Sequence, residues 1–219
     1  LVFDAEGQVH ARGFVAVPCT HPRNAFVEQD PQLIYESVLQ AVSICLGEFK
    51  GDRKEIAGVG ISNQRETVVL WDDEGRPIVP AVSWQCQRSL AICERLKQEG
   101  RAQVIAEKTG LLIDPYFSGT KLIWLNENDE RVRAHIAAGT ARFGTVDSWL
   151  LYRLTNGDVY RTDYTNASRT MLFNLAGLEW DRELLADFGL QKLRLPELRP
   201  SASDFGASDF NGIFDRPVP

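Results

Sequence analysis

A chain of 219 residues, 44% hydrophobic and 25% charged, has ordinary globular composition and enough length to bury a core without disulfides or metals. Its formal net charge of −6 leaves no excess of Lys and Arg to displace counterions from phosphates, which argues against a nucleic-acid partner. No signal sequence or membrane-spanning run is visible, and the basic residues Arg131 and Arg133 sit among acids and read as a solvated helix face.

Residues 1–3 are apolar and predict the end of a strand, residues 4–7 a turn, and residues 8–17 a partner strand with Val9, Ala11, Phe14, Val15 and Val17 as its apolar positions. Asp30 then caps a helix that Pro31 opens; Ile34, Val38, Ala41 and Cys45 follow at helical spacing, and Gly47 marks the stop. Residues 56–62, short, apolar and glycine-containing, predict a buried central strand. Two more strands, 67–70 and 77–82, flank a turn at 72–75. Helical character covers 88–98, ended by Gly100, then one short turn at 104–108 and the stretches 122–127 and 132–138. Residues 142–146 predict a strand, after which Asp147 or Ser148 caps a helix buried through Trp149, Leu150 and Leu154. Residues 172–174 are apolar, and Asp181 starts a helix through Leu185 and Phe188. After Leu195 the chain becomes rich in Pro, Ser and Asp and reads as a connection leaving the domain. This order predicts an α/β domain built on a mixed sheet flanked by helices.

The cysteines, Cys19, Cys45, Cys86 and Cys93, form no CxxC pair and have no His tract beside them, which argues against zinc. Cys86 and Cys93, seven apart, would lie two turns along one helix, too far to bond. Four free thiols are expected.

Four segments carry candidate chemistry. In residues 62–67 Arg65 offers a planar fork of donors and Glu66 an acceptor, which suits a polyol, since each hydroxyl donates and accepts. Taken on local residues alone, the pair is better described as a surface ion pair beside a turn. Trp84, just before a helix, can lie against a carbon skeleton while its polar neighbours hold hydroxyls, or it can be a core residue under the helix start. In residues 110–121 the Asp114–Pro115 step and Gly119 suggest an ordered loop. There Tyr116 offers a hydroxyl or simply packs, and Lys121 reads as solvated. The Thr, Asn, Ser and Asp residues of 143–150 and 162–170 read as caps and turn hydrogen bonds, a scaffold in which Asp147 is a cap rather than a catalyst.

Taken in order, the stretches GISNQRET, SWQCQRS, KTGLLIDPYFSGTKL, FGTVDSWLLYRLTNG and TDYTNASRTMLFN resemble the glycerol kinases of the FGGY family of carbohydrate kinases. Weaker similarity covers FVEQDPQLIYESVL and LPELRPSASDFG, so the resemblance spans nearly the whole chain; Gln87 departs from the usual Arg or Asp. The resemblance implies a ribonuclease-H-like, actin-like domain over residues 1–200, with 201–219 leading toward a second such domain. It implies that Arg65 and Glu66 hydrogen-bond glycerol hydroxyls, that Tyr116 adds a hydroxyl contact and that Trp84 packs on the carbon chain. The implied reaction is ATP-dependent phosphorylation of glycerol to sn-glycerol 3-phosphate with Mg2+, in a cytoplasmic homo-oligomer that meets neither nucleic acid nor membrane. The family's proton-accepting Asp, in a Gly-Asp-Gln motif, is expected beyond Pro219, and its first strand and phosphate loop before Leu1. No catalytic residue, nucleotide contact or metal ligand is therefore assigned within the chain. The alternatives are another FGGY sugar kinase, such as a pentulose kinase, or a non-catalytic polyol-binding remnant.

Overall fold

The computed structural model describes residues 1–219, which begin with two short antiparallel strands, β1 (Val2–Phe3) and β2 (Val9–Ala11). Strand β3 (Glu28–Gln29) leads into helix α1 (Pro31–Glu48). β4 (Val69–Trp71) and β5 (Ala81–Val82) follow, then helices α2 (Leu90–Gln98), α3 (Ala102–Thr109), α4 (Ser118–Asn128) and α5 (Glu130–Ala138). The remainder alternates: β6 (Arg142–Gly144), α6 (Val146–Leu154), β7 (Arg161–Asp163), α7 (Tyr164–Ala167), β8 (Phe173–Asn174), β9 (Glu179–Trp180), α8 (Arg182–Asp187) and β10 (Glu197–Arg199).

Local chemistry sets several boundaries. The Asp30 carboxylate accepts from Gln32 N at 2.8 Å, and Pro31 occupies the first turn, where a missing N–H costs nothing. Asp129 ends α4 and caps α5 by accepting from Arg131 N and Val132 N. Asp181 caps α8 in the same way. Helices α3 and α5 both close on a glycine in the left-handed region, Gly110 and Gly139.

A ribbon of short strands forms the middle layer. β3 pairs antiparallel with β5, Val82 bridges to Val68, and β4 pairs antiparallel with β6. Arg194 joins β6 in parallel, and β7 pairs with β10 in parallel, so the pairing is mixed. Side chains alternate across this layer. Val68, Leu70 and Val82 enter one apolar core with residues of α2, α3, α4, α5 and α8, whereas Val69, Trp71 and Ala81 enter a second core with residues of α1 and α6. Helices thus cover both faces. Phe210, Phe214 and Val218, in the stretch read as a connection, also pack into the second core.

Three expectations are corrected. Residues 56–62 form no strand; Val59 and Ile61 are 39% and 41% exposed, and the segment's main-chain partner is Pro219, whose carbonyl accepts from Val59 N at 2.8 Å. An apolar pattern makes a strand only where neighbours pair with it. The second strand stops at Ala11 rather than Val17; two residues on, Gly13 lies so close to α1 that a Cβ there would collide with the Ala41 carbonyl. Helix α6 begins at Val146 with Thr145 in the cap position, so Asp147 and Ser148 lie inside its first turn and neither caps it. No helix is long and apolar enough to cross a membrane.

Candidate functional site

Glu66 sits in the turn before β4 and is buried, 3% exposed. Its neighbourhood is assembled from three distant segments. Ser118 Oγ, at the start of α4, donates to the Glu66 carbonyl at 3.0 Å, and Trp84 N donates to Thr67 Oγ1 at 3.2 Å. Just before Ser118, Asp114 Oδ1 accepts from Tyr116 N at 2.8 Å and closes the turn that carries Tyr116. The Trp84 and Tyr116 rings then meet edge to face, centroids 5.6 Å apart, the arrangement their quadrupoles favour. Both rings are half-buried.

The structure therefore brings Glu66, Trp84 and Tyr116 together. Arg65 lies next to Glu66 along the chain; its side chain is exposed and makes no hydrogen bond or ion pair within the protein. The surface pair read from the sequence does not form. Glu66 pairs instead with Arg169, whose Nε donates to Oε1 at 2.8 Å. The Arg169 guanidinium also lies 5.8 Å from the Tyr116 ring centroid and 4.8 Å from that of Phe117. Arg169 was missed by the sequence reading. It sits in a polar loop of turn-forming residues, and nothing in its spacing marks it as the partner of a carboxylate 103 positions away.

Asp147 and Lys121 are placed quite differently from their sequence readings. Asp147 is half-buried and held on both oxygens: Oδ2 accepts from Thr162 Oγ1 at 2.7 Å, and Oδ1 accepts from Thr145 Oγ1 and, at 3.5 Å, from Asn63 Nδ2. Burial pushes its carboxyl up to about 6, against the pull of the two hydroxyls. Asn63 lies two residues before Arg65, so this network helps fix the segment that presents Arg65 and Glu66. Lys121, expected in solvent, is wholly buried behind the Tyr116 loop. A separate cavity of about 250 Å3, lined by Asp147, Arg161, Asp163 and Asn166 among others, includes none of the four predicted residues.

Fold and geometry together define an α/β domain in which a carboxylate, the Arg169 guanidinium and two aromatic rings meet. Residues 1–212 match the family model of the FGGY family of carbohydrate kinases, N-terminal domain. The chain is 44% identical to a glycerol kinase of Allorhizobium ampelinum over all of its own length and 44% of that protein's. It is 45% identical to a glycerol kinase of Vibrio cholerae over 91% of its length and 40% of the relative's. A solved structure, the Plasmodium falciparum glycerol kinase with ADP, superposes with a TM-score of 0.84 at 28% identity, covering 93% of this chain and 42% of that one. The chain belongs to the FGGY family of carbohydrate kinases and represents its N-terminal domain. It spans less than half the length of these relatives.

Proposed function

We propose that the protein to which this domain belongs is a glycerol kinase, transferring the γ-phosphoryl group of ATP to a terminal hydroxyl of glycerol to give sn-glycerol 3-phosphate. The observation that carries this reading is the convergence of Glu66, Trp84 and Tyr116, with Arg65 adjacent, in a chain whose relatives are named glycerol kinases. Arg65 has five N–H donors without a partner in the protein, and one Glu66 oxygen remains beyond the one held by Arg169. A polyol hydroxyl can donate to that carboxylate and accept from Arg65, while Trp84 and Tyr116 cover the carbon chain.

Within this chain the work is binding and orientation. Arg65 and Glu66 would fix which hydroxyl faces the phosphoryl donor, and alignment supplies much of the rate in phosphoryl transfer. No Mg2+ ligand is assigned within this chain, and no step is routed through the ion. The proton acceptor and the nucleotide contacts are assigned to no residue here either. We further propose, on the family resemblance, that the full-length protein works in the cytoplasm as a homo-oligomer.

The test is a coupled ADP-release assay on the full-length protein with Mg2+, ATP and a substrate panel. Glycerol should be turned over far better than 1,2-propanediol, because a missing hydroxyl leaves buried polar groups unpaired. A pentulose as the best substrate would replace glycerol kinase with a sister activity of the same family. No turnover of any polyol would favour a binding remnant.

A further inference from the structure

Lys121 belongs to the first turn of α4 and its side chain is fully buried, 0% exposed. It makes no ion pair. Its Nζ instead donates to three successive main-chain carbonyls, those of Pro115 at 2.5 Å, Tyr116 at 2.6 Å and Phe117 at 3.3 Å. A cation at a helix N-terminus opposes the helix dipole, and a buried ammonium gives up its hydration. A chain that tolerates both penalties gains something from the geometry. The geometry here is that of the loop carrying Tyr116, closed on its other side by Asp114 and joined to Glu66 through Ser118.

We propose that Lys121 is a positioning residue for the polyol site: its ammonium gathers the carbonyls of residues 115–117 and so sets Tyr116 edge-on to Trp84, beside the Glu66–Arg169 pair. The proposal rests on the reading of Tyr116 and Trp84 as substrate contacts. It gives that site a pH dependence of its own. Burial pushes the ammonium down to about 8, while the carboxylates of Glu66 and Asp114, and Cys86 and Cys93 in their thiolate forms, pull upward. A neutral amine has two donors for three carbonyls, so the clamp loosens as pH rises through 8. Stability moves the other way. The folded-state value lies below the ordinary 10.5, so the unfolded chain holds the extra proton between 8 and 10.5 and stability rises with pH there. Alkaline loss of ring geometry is thereby separated from unfolding.

The experiment is NMR on the wild-type chain and on Lys121→Met and Lys121→Arg, from pH 6.5 to 9.5, first without ligand and then with glycerol. The first readout is the set of nuclear Overhauser contacts between the Trp84 and Tyr116 rings, with the Trp71–Trp149 contact in the second core as internal control. Wild type should keep the Trp84–Tyr116 contacts at pH 7 and lose them with a midpoint near 8, while the control persists. Lys121→Met should lack them at both extremes, and Lys121→Arg should show no alkaline change. Glycerol affinity should follow, falling about tenfold in wild type by one pH unit above the midpoint. Wild-type ring contacts unchanged up to pH 9.5 would overturn the proposal even if both variants fail to fold. So would a folded Lys121→Met with wild-type contacts. Ring contacts that track Lys121 in a chain that binds no glycerol at any pH would sink the polyol reading, and with it this use of Lys121.

Discussion

Arg169 Nε and Glu66 Oε1 are joined at 2.8 Å across 103 residues of chain, and the guanidinium that makes this bond also faces the rings of Tyr116 and Phe117. The carboxylate side chain is 4% exposed, and Arg169 is the cation paired with it there. Replacing Arg169 by Ala should lower stability by about 1.5–3 kcal/mol, the range for hydrogen bonds to charged groups. Lys at this position should recover only part of the loss, since it has neither the planar fork nor the stacking face. Urea unfolding of the chain and its two variants measures both effects. A loss under about 0.5 kcal/mol for the Ala variant would mean that Glu66 is solvated well enough without its partner.

Arg65 should behave in the opposite way. Its side chain is exposed and has no hydrogen bond or ion pair within the protein, so Arg65→Ala should leave the unfolding midpoint within error of wild type. Yet it removes the main donors proposed for the polyol. In the full-length protein the proposed kcat/KM for glycerol should fall at least about tenfold, with the KM for ATP little changed. Unchanged glycerol kinetics would reduce Arg65 to a surface residue.

Legibility in the sequence followed the range of the interaction. The cap at Asp30, the helix start at Pro31, the turn closed by Asp72 and the cap at Asp181 were all legible, because each is a contact between residues at most four apart. The segments around Glu66, Trp84 and Tyr116 were legible only through their joint resemblance to a family, since each alone fits a packed or solvated residue equally well. What stayed hidden depends on where the fold carries a side chain, whether its partners are near in sequence or far. Residues 56–62 have the apolar content of a strand without an adequate neighbour. Lys121 looks solvated until the fold curls it back onto three carbonyls of its own loop. Arg169 acquires its role from a carboxylate on another segment.

Thiol accessibility offers a check on the packing. Cys19 is exposed, whereas Cys45, Cys86 and Cys93 are buried, and burial also raises the Cys93 thiol above its ordinary value. Alkylation of the native chain at neutral pH should therefore modify Cys19 rapidly and the other three slowly. Denaturation without reductant should expose all four. Mass spectrometry counts the adducts. A thiol protected after denaturation would reveal a disulfide, and rapid native labelling at Cys93 would contradict the packing of α2 against α4.

The last prediction concerns Asp147 and the acid side of the stability profile. Burial raises its folded-state value from 3.8 to about 6, so the folded chain holds this proton more tightly than the unfolded one. The sign follows from linkage. A raised value contributes stability that is fully present below 3.8 and is lost as pH climbs through 6, so at neutral pH the charged, half-buried carboxylate is a liability. Thr145 and Thr162 soften that liability by hydrogen bonding to the carboxylate, without supplying a positive charge. Asp147→Asn keeps the shape, removes the charge and lets both hydroxyls reorient as partners for the amide. The stability difference between variant and wild type should therefore shift in the variant's favour between pH 4 and pH 7, by on the order of 3 kcal/mol at most, since one pH unit of displacement corresponds to about 1.4 kcal/mol. Urea unfolding of both proteins at pH 4.5 and pH 7.5 gives the difference directly. A difference that stays constant across that interval would show that Asp147 titrates as an ordinary carboxylate, and that the hydroxyls of Thr145 and Thr162 fully replace the water it gave up.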